Sequence, residues 1–208
     1  MSNRINYNSI PQNWLILDMP LDWNAIARVW SDWTASNVTW VWAEKWYVSE
    51  VGSFNGSSSY VTTPTVTPSL TNFTYSAWVN TNSTTATQSI IGWSTSNWPP
   101  NLNLYAWNIT FAQQNQATMV TSSWAYSANV WIHCVVTYDW TTFKLYINWV
   151  LDNTSTTSPS FVAPWNTQLW KYGASTAYFD WEIWLPKIYD RVLTQSESQN
   201  LYLEWQRR

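Results

Sequence analysis

The sequence predicts an all-β sandwich in one domain, closed by one short C-terminal helix. Three observations predict it. β-Branched and aromatic residues recur in short alternating runs between clusters of Asn, Ser, Thr and Pro. The runs follow one another at a spacing near ten residues, the rhythm of a sandwich. Helix signals are sparse until Thr194.

In chain order, residues 1–12 read as an N-terminal arm carrying Ile5, Tyr7 and Ile10, ahead of a domain over 13–208. Strands are expected at Ser59–Thr63, Phe73–Asn80, Ser89–Gly92, Leu102–Tyr105 and Ile109–Gln113. Thr118–Ser122, Trp131–Tyr138, Phe143–Ile147 and Glu182–Tyr189 complete the set. The polar stretches Thr63–Thr71 and Asp152–Ser160 read as loops. Thr194-Gln195-Ser196-Glu197 fits a capping box, with Thr194 as cap and Glu197 three positions on. Leu201 and Leu203 follow it, so the helix is placed there.

The 208 residues suffice for one domain with a buried core. Lys and Arg number 9 against 12 Asp and Glu, a net charge of −3, which excludes a basic nucleic-acid binder. No apolar run is long enough for membrane insertion, and no apolar signal stretch stands at the N-terminus. One cysteine, Cys134, excludes an internal disulfide framework, and one histidine, His133, excludes a multi-His metal site. Between Glu50 and Asp139 there is no Asp, Glu, Lys or Arg. Ser, Thr and Asn make up about a third of the chain and carry solubility instead. Such a neutral surface points to an extracellular or virion setting. Tryptophan numbers 20 and glycine only 4, where average usage would give about 15 glycines.

Five segments together carry a resemblance. They are Ser53-Phe54-Asn55-Gly56-Ser57-Ser58-Ser59-Tyr60-Val61; Phe73-Thr74-Tyr75-Ser76-Ala77-Trp78-Val79; Trp131 to Asp139; Phe143 to Asn148; and Phe179-Asp180-Trp181-Glu182-Ile183 running into Ile188 to Thr194. In order and spacing, over about residues 13–204, the chain resembles the laminin G-like, concanavalin A-type lectin/glucanase superfamily. The resemblance implies a jelly-roll sandwich of two antiparallel sheets. It also exposes a departure. Similar family members carry glycine after Tyr-Asp and after the Asn of the next hairpin, where this chain has Trp140 and Trp149. Asp-Gly and Asn-Gly suit tight hairpins because glycine takes positive φ cheaply. Trp23, Trp33 and Trp181 likewise follow Asp. Many tryptophans are therefore expected to be glycines natively, from a gene that reads UGA as glycine. Converting about 16 of them would bring glycine to about a tenth of the chain. Trp78 and Trp131 stand where the family has true tryptophan.

For chemistry, a glycosidase needs two carboxylates facing each other across the sugar bond. Only Asp180 and Glu182 alternate on one strand, and the central strands carry no acid. His133 and Cys134 are adjacent on a strand, so they point to opposite faces and cannot form a nucleophile–base pair. No catalytic set is expected. Some members of the resembled family hold calcium through loop Asp and Asn, for which Asp139, Asp152 and Asn153 are the candidates here. Sugar binding uses aromatic platforms beside amides and hydroxyls, which Asn103, Tyr105 and Asn108, with Trp93 and Trp98, offer on uncharged strands. The expected function is a non-catalytic recognition or adhesion module binding glycans on a cell or virus surface. The alternative is a structural decoration or appendage subunit, homo-oligomeric or held to a protein assembly partner through residues 1–12.

Overall fold

Alternating apolar and polar residues build two antiparallel sheets packed face to face, as a computed structural model of the chain describes for residues 15–18, 34–42, 50–62, 69, 71–93, 100–113, 118–159, 161, 167–169 and 177–207. The strands are β1 (Leu15–Asp18), β2 (Thr34–Ser36), β3 (Thr39–Trp42), β4 (Glu50–Asn55), β5 (Tyr60–Thr62), β6 (Asn72–Thr81), β7 (Gln88–Trp93) and β8 (Pro100–Tyr105). They continue with β9 (Asn108–Gln113), β10 (Thr118–Thr121), β11 (Ile132–Asp139), β12 (Phe143–Ile147), β13 (Val150–Ser155), β14 (Thr167–Leu169) and β15 (Asp180–Tyr189), before helix α1 (Gln195–Arg207).

The larger sheet has eight strands in the order β13-β12-β11-β6-β15-β4-β3. The long β15 is shared on its outer edge: its first half pairs with β4 and its last residues with β1. The smaller sheet has seven strands in the order β10-β9-β8-β7-β14-β5-β2. Period-two alternation sends Phe73, Tyr75 and Ala77 of β6, and Cys134, Val136 and Tyr138 of β11, into the space between the sheets. Leu102, Leu104, Ile109, Phe111 and Val120 meet them from the smaller sheet. Phe73 centres this layer, with ring centroids of Tyr75, Tyr138 and Phe111 at 5.4, 5.4 and 5.7 Å.

A second apolar cluster lies on the opposite face of the larger sheet. Val51, Trp78, Trp184 and Leu185 gather there, with Trp131 and Tyr202 packed against them. Tyr202 of α1 stacks on Trp78 at 5.2 Å, so the helix covers this face. Its start follows the capping-box expectation. The Glu197 amide donates to Thr194 Oγ1 at 3.2 Å, and the Thr194 amide donates to Glu197 Oε2 at 2.8 Å.

All nine expected strands are present, with ends shifted by at most two residues, while β1 to β4, β13 and β14 were not expected. One loop is corrected: Asp152–Ser160 begins inside β13, which pairs with β12. β13 is an edge strand whose residues are all exposed or half-buried, so it needs no apolar alternation. The arm over residues 1–12 and most of Thr63–Thr71 lie outside the described residues.

Candidate functional site

The outer face of the smaller sheet has an unusual chemistry, with Ser89 and Thr110 buried and Asn103 and Thr121 half-buried. None of its seven strands contains Asp, Glu, Lys, Arg or His. The strands of the larger sheet hold Asp18, Glu50, His133, Asp139, Lys144, Asp152, Asp180, Glu182 and Lys187. Charge is therefore sorted by sheet.

Cross-strand register builds a row on the uncharged face. Ser89 of β7 pairs with Asn103 of β8, Asn103 with Thr110 of β9, and Thr110 with Thr121 of β10. Neighbours Leu102, Leu104, Ile109, Phe111 and Val120 point into the core, so these four point out. At the usual strand separation the row spans roughly 14 Å. It presents one amide and three hydroxyls. The Ser89 hydroxyl is buried and has no hydrogen-bond partner among the described residues. Such an orphan costs free energy unless something else satisfies it.

Asn103 and Tyr105, two apart on β8, share this face. Asn108 pairs with Tyr105 across the β8–β9 hairpin and joins them. Asn103 and Asn108 are half-buried, and Tyr105 is exposed. Asn108 Oδ1 accepts from Ser122 Oγ at 3.4 Å. Trp93 ends β7, opposite Thr167 of β14. Trp98 lies outside the described residues. Three of the five expected sugar-contact residues thus come together. Ser89, Thr110 and Thr121 of the row were not among those expected from sequence. Their only signal is an outward polar position on each strand.

The candidate calcium ligands are already engaged. Asp139 Oδ1 accepts from the Thr142 amide at 2.8 Å, the Thr141 amide at 3.1 Å and Thr141 Oγ1 at 2.8 Å. Burial alone would raise this carboxyl, but those bonds and nearby Lys144 outweigh it and hold it below the usual range. Asp152 takes the Ser123 amide at 2.7 Å and Ser123 Oγ at 2.5 Å, and Asn153 Nδ2 donates to the Thr121 carbonyl at 2.8 Å. Leu145 pairs with both Asn153 and Val136, and Val136 lies three positions before Asp139. That sets Asn153 roughly 10 Å from Asp139 along the strands and two strand spacings, again roughly 10 Å, across them. Among the described residues, no three His, Cys, Asp or Glu side chains gather as a metal cluster.

Asp180 and Glu182 stand on β15 of the larger sheet, away from the uncharged face. Glu182 Oε2 accepts from Asn80 Nδ2 at 3.1 Å. Asp180 lies against Gly56, where φ is +68° and an added Cβ would come within 2.9 Å of the Asp180 side chain. His133 and Cys134 point to opposite faces, as expected. Cys134 Sγ donates to the Ala77 carbonyl at 3.4 Å inside the core, and burial pushes its thiol up to about 12. His133 lies under α1, with Nε2 3.0 Å from Ser76 Oγ.

Two packed antiparallel sheets with a helix laid over one of them define a jelly-roll sandwich. The chain belongs to the concanavalin A-like lectin/glucanases superfamily, whose laminin G family description matches residues 55–198. No curated protein matches it in sequence. Among solved structures, domain 4 of an extracellular arabinanase from Geobacillus stearothermophilus, in complex with arabinotriose, is similar: TM-score 0.74, 19% identity, 90% of this chain and 98% of that one. The binding domain of Paraclostridial Mosquitocidal Protein 1 gives a TM-score of 0.72 at 15% identity, over 92% of this chain and 52% of that one. The botulinum neurotoxin serotype D binding domain gives 0.69 at 18% identity, over 91% and 51%. The chain thus spans about half the length of the toxin binding domains it matches. At these identities the likeness establishes the fold.

Proposed function

We propose that the protein is a non-catalytic recognition module that binds uncharged glycans on the outer face of the smaller sheet. The carrying observation is the charge-free row Ser89–Asn103–Thr110–Thr121, with its Ser89 hydroxyl buried and unpartnered among the described residues. Neutral sugars are recognised by amides and hydroxyls, which give and accept hydrogen bonds without the desolvation cost of an ion. Asn103, Tyr105 and Asn108, with Trp93 and Trp98, are the proposed contacts. Hydrolysis has no part, because the seven strands offer no carboxylate to act as acid or nucleophile.

The arabinanase domain bound to arabinotriose and the toxin binding domains support a binding role on this fold. Display outside a cell or on a virion suits the hydroxyl- and amide-rich surface, with residues 1–12 as the attachment. In a second reading the neutral face packs against an assembly partner, as in a decoration subunit.

The test is a neutral oligosaccharide array followed by calorimetry, with and without calcium. Binding that falls about tenfold in Asn103→Ala, equivalent to about 1.4 kcal/mol, with an unchanged melting temperature, supports the module. No binding to any neutral glycan overturns it and favours the assembly reading.

A further inference from the structure

We propose that the functional protein carries glycine at positions 107, 140, 149 and 181, through UGA codons decoded by a glycine-charged tRNA. The backbone makes this assignment position by position. Trp107, Trp140, Trp149 and Trp181 have φ of +75°, +76°, +67° and +112°. Positive φ brings Cβ against the backbone, and a bulky side chain there is an outlier. The value at Trp181 lies beyond the left-handed helical basin, where glycine is the ordinary occupant.

None of these indoles is buried in the core, where packing could repay the strain. Trp107, Trp140, Trp149 and Trp181 are 50%, 64%, 37% and 41% exposed. Strain of this kind persists where surroundings over-determine it, and a side chain open to solvent on one side is held less firmly than one in the core. The turn types agree. Ala106 and Trp107 form the two-residue β8–β9 hairpin with φ of +46° and +75°, and Asn148 and Trp149 form the β12–β13 hairpin with +47° and +67°. Two consecutive positive φ values mark the type I′ turn, whose second position favours glycine. Trp140 follows Asp139, whose carboxylate caps the turn.

Tryptophan is about a tenth of the chain, yet it fills four of the nine non-glycine positions with positive φ among the described residues. Trp78 is the contrast. It is 4% exposed, at 5.1 Å from the His133 ring and 5.2 Å from the Tyr202 ring. Its packing requires an aromatic side chain, so it is assigned as tryptophan. With glycine at the four positions the surface loses four indoles, and the exposed Tyr105 stays beside the amide and hydroxyl row.

The inference concerns residue identity and stands or falls apart from glycan binding. The deciding experiment is peptide sequencing by mass spectrometry of the protein from its source cells. Glycine at all four positions with tryptophan at 78 is the expected result. Tryptophan at the four positions overturns the inference. A second measurement compares melting of the recombinant chain with the variant Trp107→Gly/Trp140→Gly/Trp149→Gly/Trp181→Gly. Relief of strain, less the entropy that glycine adds to the unfolded chain, predicts a midpoint higher by roughly 5–10 °C. Trp78→Gly must lower it. An unchanged or lower midpoint in the fourfold variant overturns the backbone argument.

Discussion

Lys187 Nζ lies 3.6 Å from Glu204 Oε2, and both side chains are all but sealed from solvent where β15 meets α1. Two opposite charges in a water-poor layer hold each other in place. Removing one leaves the other buried and uncompensated. Glu204→Gln or Lys187→Met should each cost about 3–5 kcal/mol, and the apolar pair Lys187→Met/Glu204→Leu should recover most of the loss. Urea denaturation midpoints of the four proteins check this.

His133 sits in the same layer, under the influence of the Lys187 charge and with its ring 6.1 Å from that of Tyr202. Burial, and then the Lys187 charge, lower its pKa from 6.5 to about 3. The folded protein therefore keeps this imidazole neutral while the unfolded chain protonates it. Below pH 6.5 the unfolded state binds the extra proton, so stability is lost as pH falls. The slope approaches about 1.4 kcal/mol per pH unit between pH 6 and 5, above the range where carboxylates titrate. It is the only histidine in the chain. His133→Gln should flatten this limb, as measured by unfolding free energy at pH 7, 6 and 5.

Thr194 and Glu197 close the first turn of α1 reciprocally. Arg191 grips Glu197 through two nitrogens, at 2.9 and 2.6 Å. The Arg191 hydrogen bonds, ahead of the Thr194 contacts, bring the Glu197 carboxyl down to about 2. Its contribution is present above pH 4.5 and fades as pH falls toward 2. Thr194→Ala should cost about 1 kcal/mol, which is a fall of roughly 2–4 °C in Tm. Because α1 covers Trp78, the same variant should loosen near-ultraviolet dichroism of the aromatic layer before the core melts.

The strands were legible where burial on one face imposes alternation, as in Phe73–Asn80. β13 was not, because an edge strand wetted on both faces selects no pattern. The helix start was legible because Thr194 and Glu197 are local partners. The row on the smaller sheet was only half legible. Asn103 is visible as an outward polar residue, but its neighbours Ser89 and Thr110 lie on other strands, and only register joins them. Two bulges add to this. Between Ser89 and Ile91, and between Thr118 and Val120, the pairing slips. Counting by twos along β7 or β10 would therefore put the wrong residues outside. Asp180 and Glu182 were readable as an alternating pair, but only the topology places them on the other sheet.

Sorting of charge between the two sheets has a consequence for where such a module can work. A contact surface without ions has no counterions to release and no field to screen. Its grip on a neutral partner should then hold from fresh water to brine, while partners that rely on ion pairs come and go with the salt.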